Sequence, residues 1–337
     1  MATKLYIYAG LIIMKIAVIN SNSPDGLART IFDGLLELQK QEKDLQFSLS
    51  AKFDYILPLK ENILPKDEFI NFARQADVIF LIWGKGGADY NLAERIGKWE
   101  KTIFIDGSEV GKDRRYDFSI QNDILKGRYV KNGAIDQKML KLCALYFRRE
   151  KPYIKGIIPL PFAIESVYLS QYDKNIKKNI DFHCVFGQNE YPIMRKYVTE
   201  ILEKYCQENG FSCYISKTKT REEFYRQLAK SKVGISVGGG GFDSMRFWEI
   251  LGNNCLLLTE KIDIYEPDSK RLDYQRIWEF GNLHDFRYQL DKISDYLRKD
   301  YNQDKLNSEY QKILIDHLAS SRIKEILQIA KKKRILV

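Results

Sequence analysis

The chain has 337 residues, more than one hydrophobic core usually organises, so two domains are expected. Apolar residues make up 45% of it, enough for real cores, and 54 Lys and Arg against 45 Asp and Glu give +9, which suits polyanions, anionic membranes or phosphorylated small molecules. Five cysteines without a CxxC pair and three scattered histidines signal neither a zinc site nor a disulfide framework, and no Asp-x-Asp pair is present to bridge a metal to a diphosphate.

In chain order, residues 5–19 are apolar enough to resemble a signal or membrane segment. Lys15 interrupts them, the run before it is far short of the roughly 20 residues a spanning helix needs, and no A-x-A cleavage site follows. "MKIAVINSNSPDG" reads as a first buried strand, with Met14 as the start of the fold and residues 1–13 as an extension. A soluble, cytosolic protein is expected, where irregularly spaced cysteines stay free.

From Met14 short apolar runs alternate with amphipathic stretches, the pattern of a parallel sheet covered by helices. A helix is predicted over 27–39, strands over 76–84 and 101–107, and a helix over 136–149. Residues 153–165 hold two prolines, with a third just before them at Pro152, and read as the connection between domains. A second alternation begins with a strand over 180–187, a helix over 191–209 and a strand over 211–216. "TREEFYRQLAKSK" follows as a helix with Thr220 as N-cap and Glu223 at capping-box spacing. From Ile277 onward the sequence is polar and helical. The expected fold class is α/β, with two Rossmann-like domains facing a cleft and C-terminal helices. Its parts are a first Rossmann-like domain over 14–160, a second over 161–300, and helices with a basic tail over 301–337.

The most informative stretch is "VGISVGGGGFDSMRFWEILGNNCLLLTE", residues 233–260. In open parallel sheets ligands sit beyond the carboxyl ends of the strands, and Gly238, Gly239, Gly240 and Gly241 occupy such a place. Glycine there permits positive φ and lets backbone N–H groups approach an anion without collision from a Cβ. No GKS or GKT ending follows, and Asp243 stands where a dinucleotide fingerprint needs its third glycine, so kinases and NAD enzymes lose their main support. "GKGGAD" over 84–89 fails in the same way. Asp243 or Ser244 is the expected N-cap of the next helix, on which Arg246, Glu249 and Asn253 share one face. A simple ion pair between Arg246 and Glu249 is the plainer alternative.

Residues 225–260 resemble the donor-binding segment of GT-B glycosyltransferases, especially the spore-maturation-type and exostosin-like groups. Those families run helix, "Ser-Lys", strand, glycine-containing loop, "R-x-x-E", apolar strand. The match is close over about 40 residues and weaker across the rest of the second domain. The resemblance implies that Glu249 binds the ribose of a nucleotide sugar, that Arg246 neutralises diphosphate or orients Glu249, and that the glycine loop and Asp243 face the diphosphate and sugar. In "CVFGQNEYPIMRKYV" it implies a diphosphate contact for Arg195, a cation that a leaving diphosphate needs where no metal serves. Retaining members carry a second glutamate eight positions before Glu249, where this sequence has Gly241, so the stereochemical class stays open. The last helices are expected to pack back on the first domain.

The implied activity is metal-independent transfer of a sugar from a nucleotide sugar to a hydroxyl of a glycan, lipid-linked or protein acceptor, without a bound cofactor. An inverting transfer needs a base from the first domain, for which Asp89 after "GKGGAD" and Asp106 ending "TIFIDG" lie at expected strand ends. The basic end "IAKKKRILV" suits peripheral contact with an anionic, inner-membrane surface. A nucleic-acid partner is not indicated, because no basic run is interleaved with aromatics. The rival reading is a non-catalytic nucleotide-sugar or glycan binding protein of the same fold.

Overall fold

A computed structural model describes residues 14–21, 26–52, 62–82, 87–108, 135–150, 155–187, 193–239, 241–262, 264–265 and 269–336. Among them two parallel sheets form. The first holds β1 (Met14–Ile19), β2 (Leu45–Leu49), β3 (Val78–Ile82), β4 (Thr102–Asp106), β5 (Leu145–Arg148) and β6 (Ile157–Pro159), in the order β2-β1-β3-β4-β5-β6. The second holds β7 (Ile180–His183), β8 (Cys213–Tyr214), β9 (Ser231–Ser236), β10 (Leu256–Glu260) and β11 (Ile277–Phe280), in the order β11-β10-β9-β7-β8. Every residue of β3, β4 and β10 is buried, as strands covered on both faces must be.

The helices are α1 (Gly26–Gln41), α2 (Lys66–Gln75), α3 (Gly87–Ile96), α4 (Gln137–Leu142), α5 (Ile193–Asn209), α6 (Arg221–Ala229), α7 (Met245–Gly252), α8 (Leu283–Lys299), α9 (Gln303–His317) and α10 (Ala319–Lys332). Thr220 caps α6 by accepting the Glu223 N–H at 3.1 Å, as its spacing predicts. Glu223 answers by accepting the N–H of Lys219 at 2.9 Å, one residue before the cap.

The helix predicted over 136–149 is corrected. Asp136 does cap a helix, but α4 ends at Leu142, and Leu145–Arg148 forms β5 between β4 and β6. All four β5 residues are buried, and two are aromatic, so sheet burial overrides the local helical period. The proline-rich connection likewise contributes β6, whose Pro159 sits on an edge strand, where a missing N–H is tolerated.

The crossover segment after β6 is clamped from both ends of the chain. Ile164 pairs with the α9–α10 junction, accepting the Ala319 N–H at 2.9 Å and donating to the His317 carbonyl at 2.8 Å. Glu165 is fully buried, and it meets Arg29 of α1 at 2.5 Å and the Thr30 hydroxyl at 2.9 Å. Buried Arg322 of α10 donates to the carbonyls of Pro161 and Phe162. Helix α10 therefore returns to the first domain and lies on α1. The exposed basic residues from Lys331 to Arg334 follow, and Ile335 and Leu336 fold back against the core. Among the described residues no helix is long and apolar enough to cross a membrane.

Contact between α1 and α10 depends on Gly34, where a Cβ would stand 2.4 Å from the Ala319 carbonyl oxygen. Gly34→Ala is expected to push the two helices apart and to cost about 1–3 kcal/mol, read as a lower denaturant midpoint.

Candidate functional site

The site is built on β9, α7 and the loop between them. Gly234, inside β9, leaves room for α7 to lie directly on the sheet, because a Cβ there would meet the Ile250 side chain at 2.5 Å. After the strand, the Gly238 N–H donates to Glu260 Oε2 at 3.3 Å, and the Gly239 N–H to the Gly241 carbonyl at 2.9 Å. Gly240 lies outside the described residues. A Cβ on Gly239 would stand 2.9 Å from Arg195 Nη2, and one on Gly241 only 1.7 Å from Glu150 Oε1. At both positions glycine answers a demand for space. The expectation that the loop's N–H groups are open to an anion is therefore corrected, since those of Gly238 and Gly239 are engaged within the protein.

Ser244 is the N-cap of α7, accepting the Arg246 N–H at 3.3 Å. Asp243 has a different task. Its buried carboxylate accepts the Phe162 N–H at 2.7 Å on one oxygen and the Trp248 indole N–H at 2.9 Å on the other. Burial raises its pKa, with Arg149 opposing the shift. Asp243 thus ties the loop to the crossover, and it lies in the lining of the cleft as well.

Arg246 and Glu249 do form the ion pair that their spacing allows, at 2.5 Å, and both line the cleft. The pair is neither solvated nor sealed, with 15% and 12% of the side chains exposed. Tyr225 donates its hydroxyl to the second Glu249 oxygen at 3.1 Å, and the Arg246 guanidinium lies 4.0 Å from the Phe224 ring centre. Arg195, in the first turn of α5, lies over Phe186 and donates to the Val237 carbonyl at 3.2 Å. These contacts set both guanidinium orientations.

Sequence reasoning missed Arg149 and Glu150, which follow β5 and reach across from the first domain. Arg149 packs over Phe162 at 4.8 Å and lies 3.6 Å from Glu150 Oε1. Their signal was a charged "RRE" directly after an apolar run, hidden by reading that run as a helix. Arg149, Arg195, Arg246, Glu249, Gly239 and Gly241 share a cleft of about 370 Å³ between the two sheets, with Phe162, Phe186 and Met245 as apolar lining. That size and mixture suit a small polyanionic ligand.

Neither acid expected to be the base lines this cleft. Asp106 is fully buried; Oδ1 accepts from the Ser108 N–H and hydroxyl, and Oδ2 from the Tyr146 hydroxyl at 2.5 Å. It braces the end of β4, which corrects the catalytic expectation. Asp89 is buried in the first turn of α3; burial raises its pKa, and Oδ2 has no hydrogen-bond partner among the described residues. Among the described residues no three His, Cys, Asp or Glu side chains gather in a way that could hold a metal ion.

No protein-family model matches the sequence, and no curated protein does either. Solved structures do. An α-glucosyltransferase in complex with UDP and a mismatched DNA aligns with a TM-score of 0.56 over 94% of this chain and 98% of its own, at 11% identity. This is the GT-B fold. A glycosyltransferase from Rickettsia africae aligns with a TM-score of 0.56 at 9% identity, over 95% of this chain and 98% of its own. The Anabaena protein HepE in complex with UDP-glucose gives 0.53 at 10% identity, over 94% and 99%. Identities this low establish the shared GT-B architecture, two Rossmann-like sheets facing a cleft with C-terminal helices.

Two outcomes follow from the geometry. Gly241→Ala is expected to cost about 1–3 kcal/mol through collision with Glu150, and markedly less in a Glu150→Ala background, measured as a double-mutant cycle of unfolding free energies. His183, wholly buried among Tyr214 and Phe224, has its pKa pushed down to about 3 by desolvation and nearby Arg246. The unfolded chain takes up that proton first, so stability present above pH ~6.5 is lost toward pH 3, at up to about 1.4 kcal/mol per pH unit. His183→Phe should flatten this acid limb in pH-dependent denaturation.

Proposed function

We propose that the protein is a glycosyltransferase that moves a sugar from a nucleotide sugar to a hydroxyl acceptor. The observation that carries the reading is the convergence of Arg149, Arg195 and Arg246 with the glycine loop and Glu249 on one cleft between the two sheets. Three guanidinium groups supply the charge that a diphosphate needs as it leaves, with no divalent cation required. Glu249, held by Tyr225 and Arg246, presents a carboxylate of the kind that accepts two ribose hydroxyl hydrogen bonds. Likeness of residues 225–260 to spore-maturation-type and exostosin-like enzymes supports the same role for Glu249. UDP accompanies the α-glucosyltransferase and UDP-glucose accompanies HepE, which makes uridine nucleotides the first donors to try.

The base comes from the first domain, where the buried carboxyl of Asp89 stands in the first turn of the helix after β3. A second reading, a nucleotide-sugar binding protein without turnover, is favoured by the absence of both Asp89 and Asp106 from the cleft lining. Transfer or hydrolysis of a radiolabelled nucleotide sugar separates the two.

A panel of nucleotide sugars read by thermal shift tests the site itself. The matching donor is expected to stabilise the wild type by about 2.7 kcal/mol at a hundredfold excess over its dissociation constant. Glu249→Ala should lose about 1.5–3 kcal/mol of that binding energy, the worth of hydrogen bonds to a charged group. EDTA should change neither result. Equal responses of wild type and Glu249→Ala would remove Glu249 from the site.

A further inference from the structure

Glu150 stands on the first domain, yet its carboxylate lies inside the loop of the second. Oε1 occupies space that any Cβ on residue 241 would need, at 1.7 Å, and it accepts the Asp243 N–H at 3.3 Å. Only 2% of the residue is exposed, although Gly241, Asp243 and Arg149 beside it all line the cleft. Burying a carboxylate is costly unless donors and positive charge surround it. Here those partners are a backbone N–H just ahead of α7 and the Arg149 guanidinium, 3.6 Å away. They are the same kinds of group that hold phosphate at the start of a helix.

We propose that Glu150 is the internal counter-ion of the glycine loop, holding the place of a diphosphate until the nucleotide ligand displaces it. The inference rests on reading the cleft as a nucleoside-diphosphate site. Two anions cannot share the loop. Like charges in a partly buried cleft repel strongly, so the ligand's pyrophosphate and the Glu150 carboxylate exclude one another. Because Glu150 belongs to the first domain and Gly241 to the second, displacement also breaks a contact across the cleft. Donor occupancy thereby alters how the acceptor side meets the loop. The role needs a negative charge at 150 and no side chain at 241.

The test is binding of UDP and of inorganic pyrophosphate, by calorimetry, to the full-length wild type, Glu150→Gln and Gly241→Ala. Neutralising the placeholder in Glu150→Gln is expected to tighten both ligands about tenfold. Gly241→Ala forces the carboxylate out of the loop without removing it, and should tighten both by a smaller factor. If UDP binds all three proteins equally, the placeholder role is overturned while the nucleotide reading stands. Weaker binding by Glu150→Gln overturns it too, since the acid would then shape the loop for its ligand. Should Glu150→Gln fail to fold, Gly241→Ala decides alone, and unchanged or weaker binding by that variant overturns the role. If pyrophosphate binds more tightly to the variants but no nucleoside diphosphate binds any protein, the placeholder stands and the nucleotide reading falls. If neither ligand binds any of them, both fall.

Discussion

Phe162 donates its backbone N–H to the carboxylate of Asp243, and the other oxygen of that carboxylate takes the indole N–H of Trp248. All three residues are buried, so this one acid satisfies a crossover backbone and a helix at the same point. The glycine loop enters α7 directly after it, and the segment it grips is clamped by α1 and α10. Position of the cleft therefore depends on a buried carboxyl group, held because each oxygen has a donor, while burial raises its pKa and Arg149 opposes that shift.

Around that fixed point the cleft's polar groups are wired largely to one another. Arg246 faces Glu249, Arg149 faces Glu150, and the Gly238 N–H faces Glu260. Such pairing keeps guanidinium groups and carboxylates in register without a ligand. A ligand entering the cleft would have to exchange internal partners for external ones, so its net affinity would reflect the difference between the two sets. The His183 ring beneath this cluster, buried among aromatics near Arg246, stays neutral because a second positive charge there would have neither solvent nor counter-ion.

Much of this architecture was legible in the residues. Alternating apolar and amphipathic stretches give parallel sheets covered by helices, Thr220 and Glu223 mark a helix start, and the order glycine loop, Arg246, Glu249 places a cation and an acid at the mouth of the second sheet. β5 was not legible, since "LKLCALYFRR" satisfies a helical period and only neighbours β4 and β6 decide otherwise. Misreading it also hid Arg149 and Glu150. Asp106 misled in the opposite direction, because a strand-end acid looks the same in sequence whether it faces a cleft or, as here, Ser108 and Tyr146.

Local pattern alone determined the α/β class, the helix caps and the order of glycine loop, Arg246 and Glu249, because propensity, capping and periodicity act over a few residues. Tertiary structure decided whether each charge meets a ligand or another side chain. Residues 150 and 241 stand about ninety positions apart in the chain, and only the meeting of two sheets brings a carboxylate into the space a missing side chain leaves.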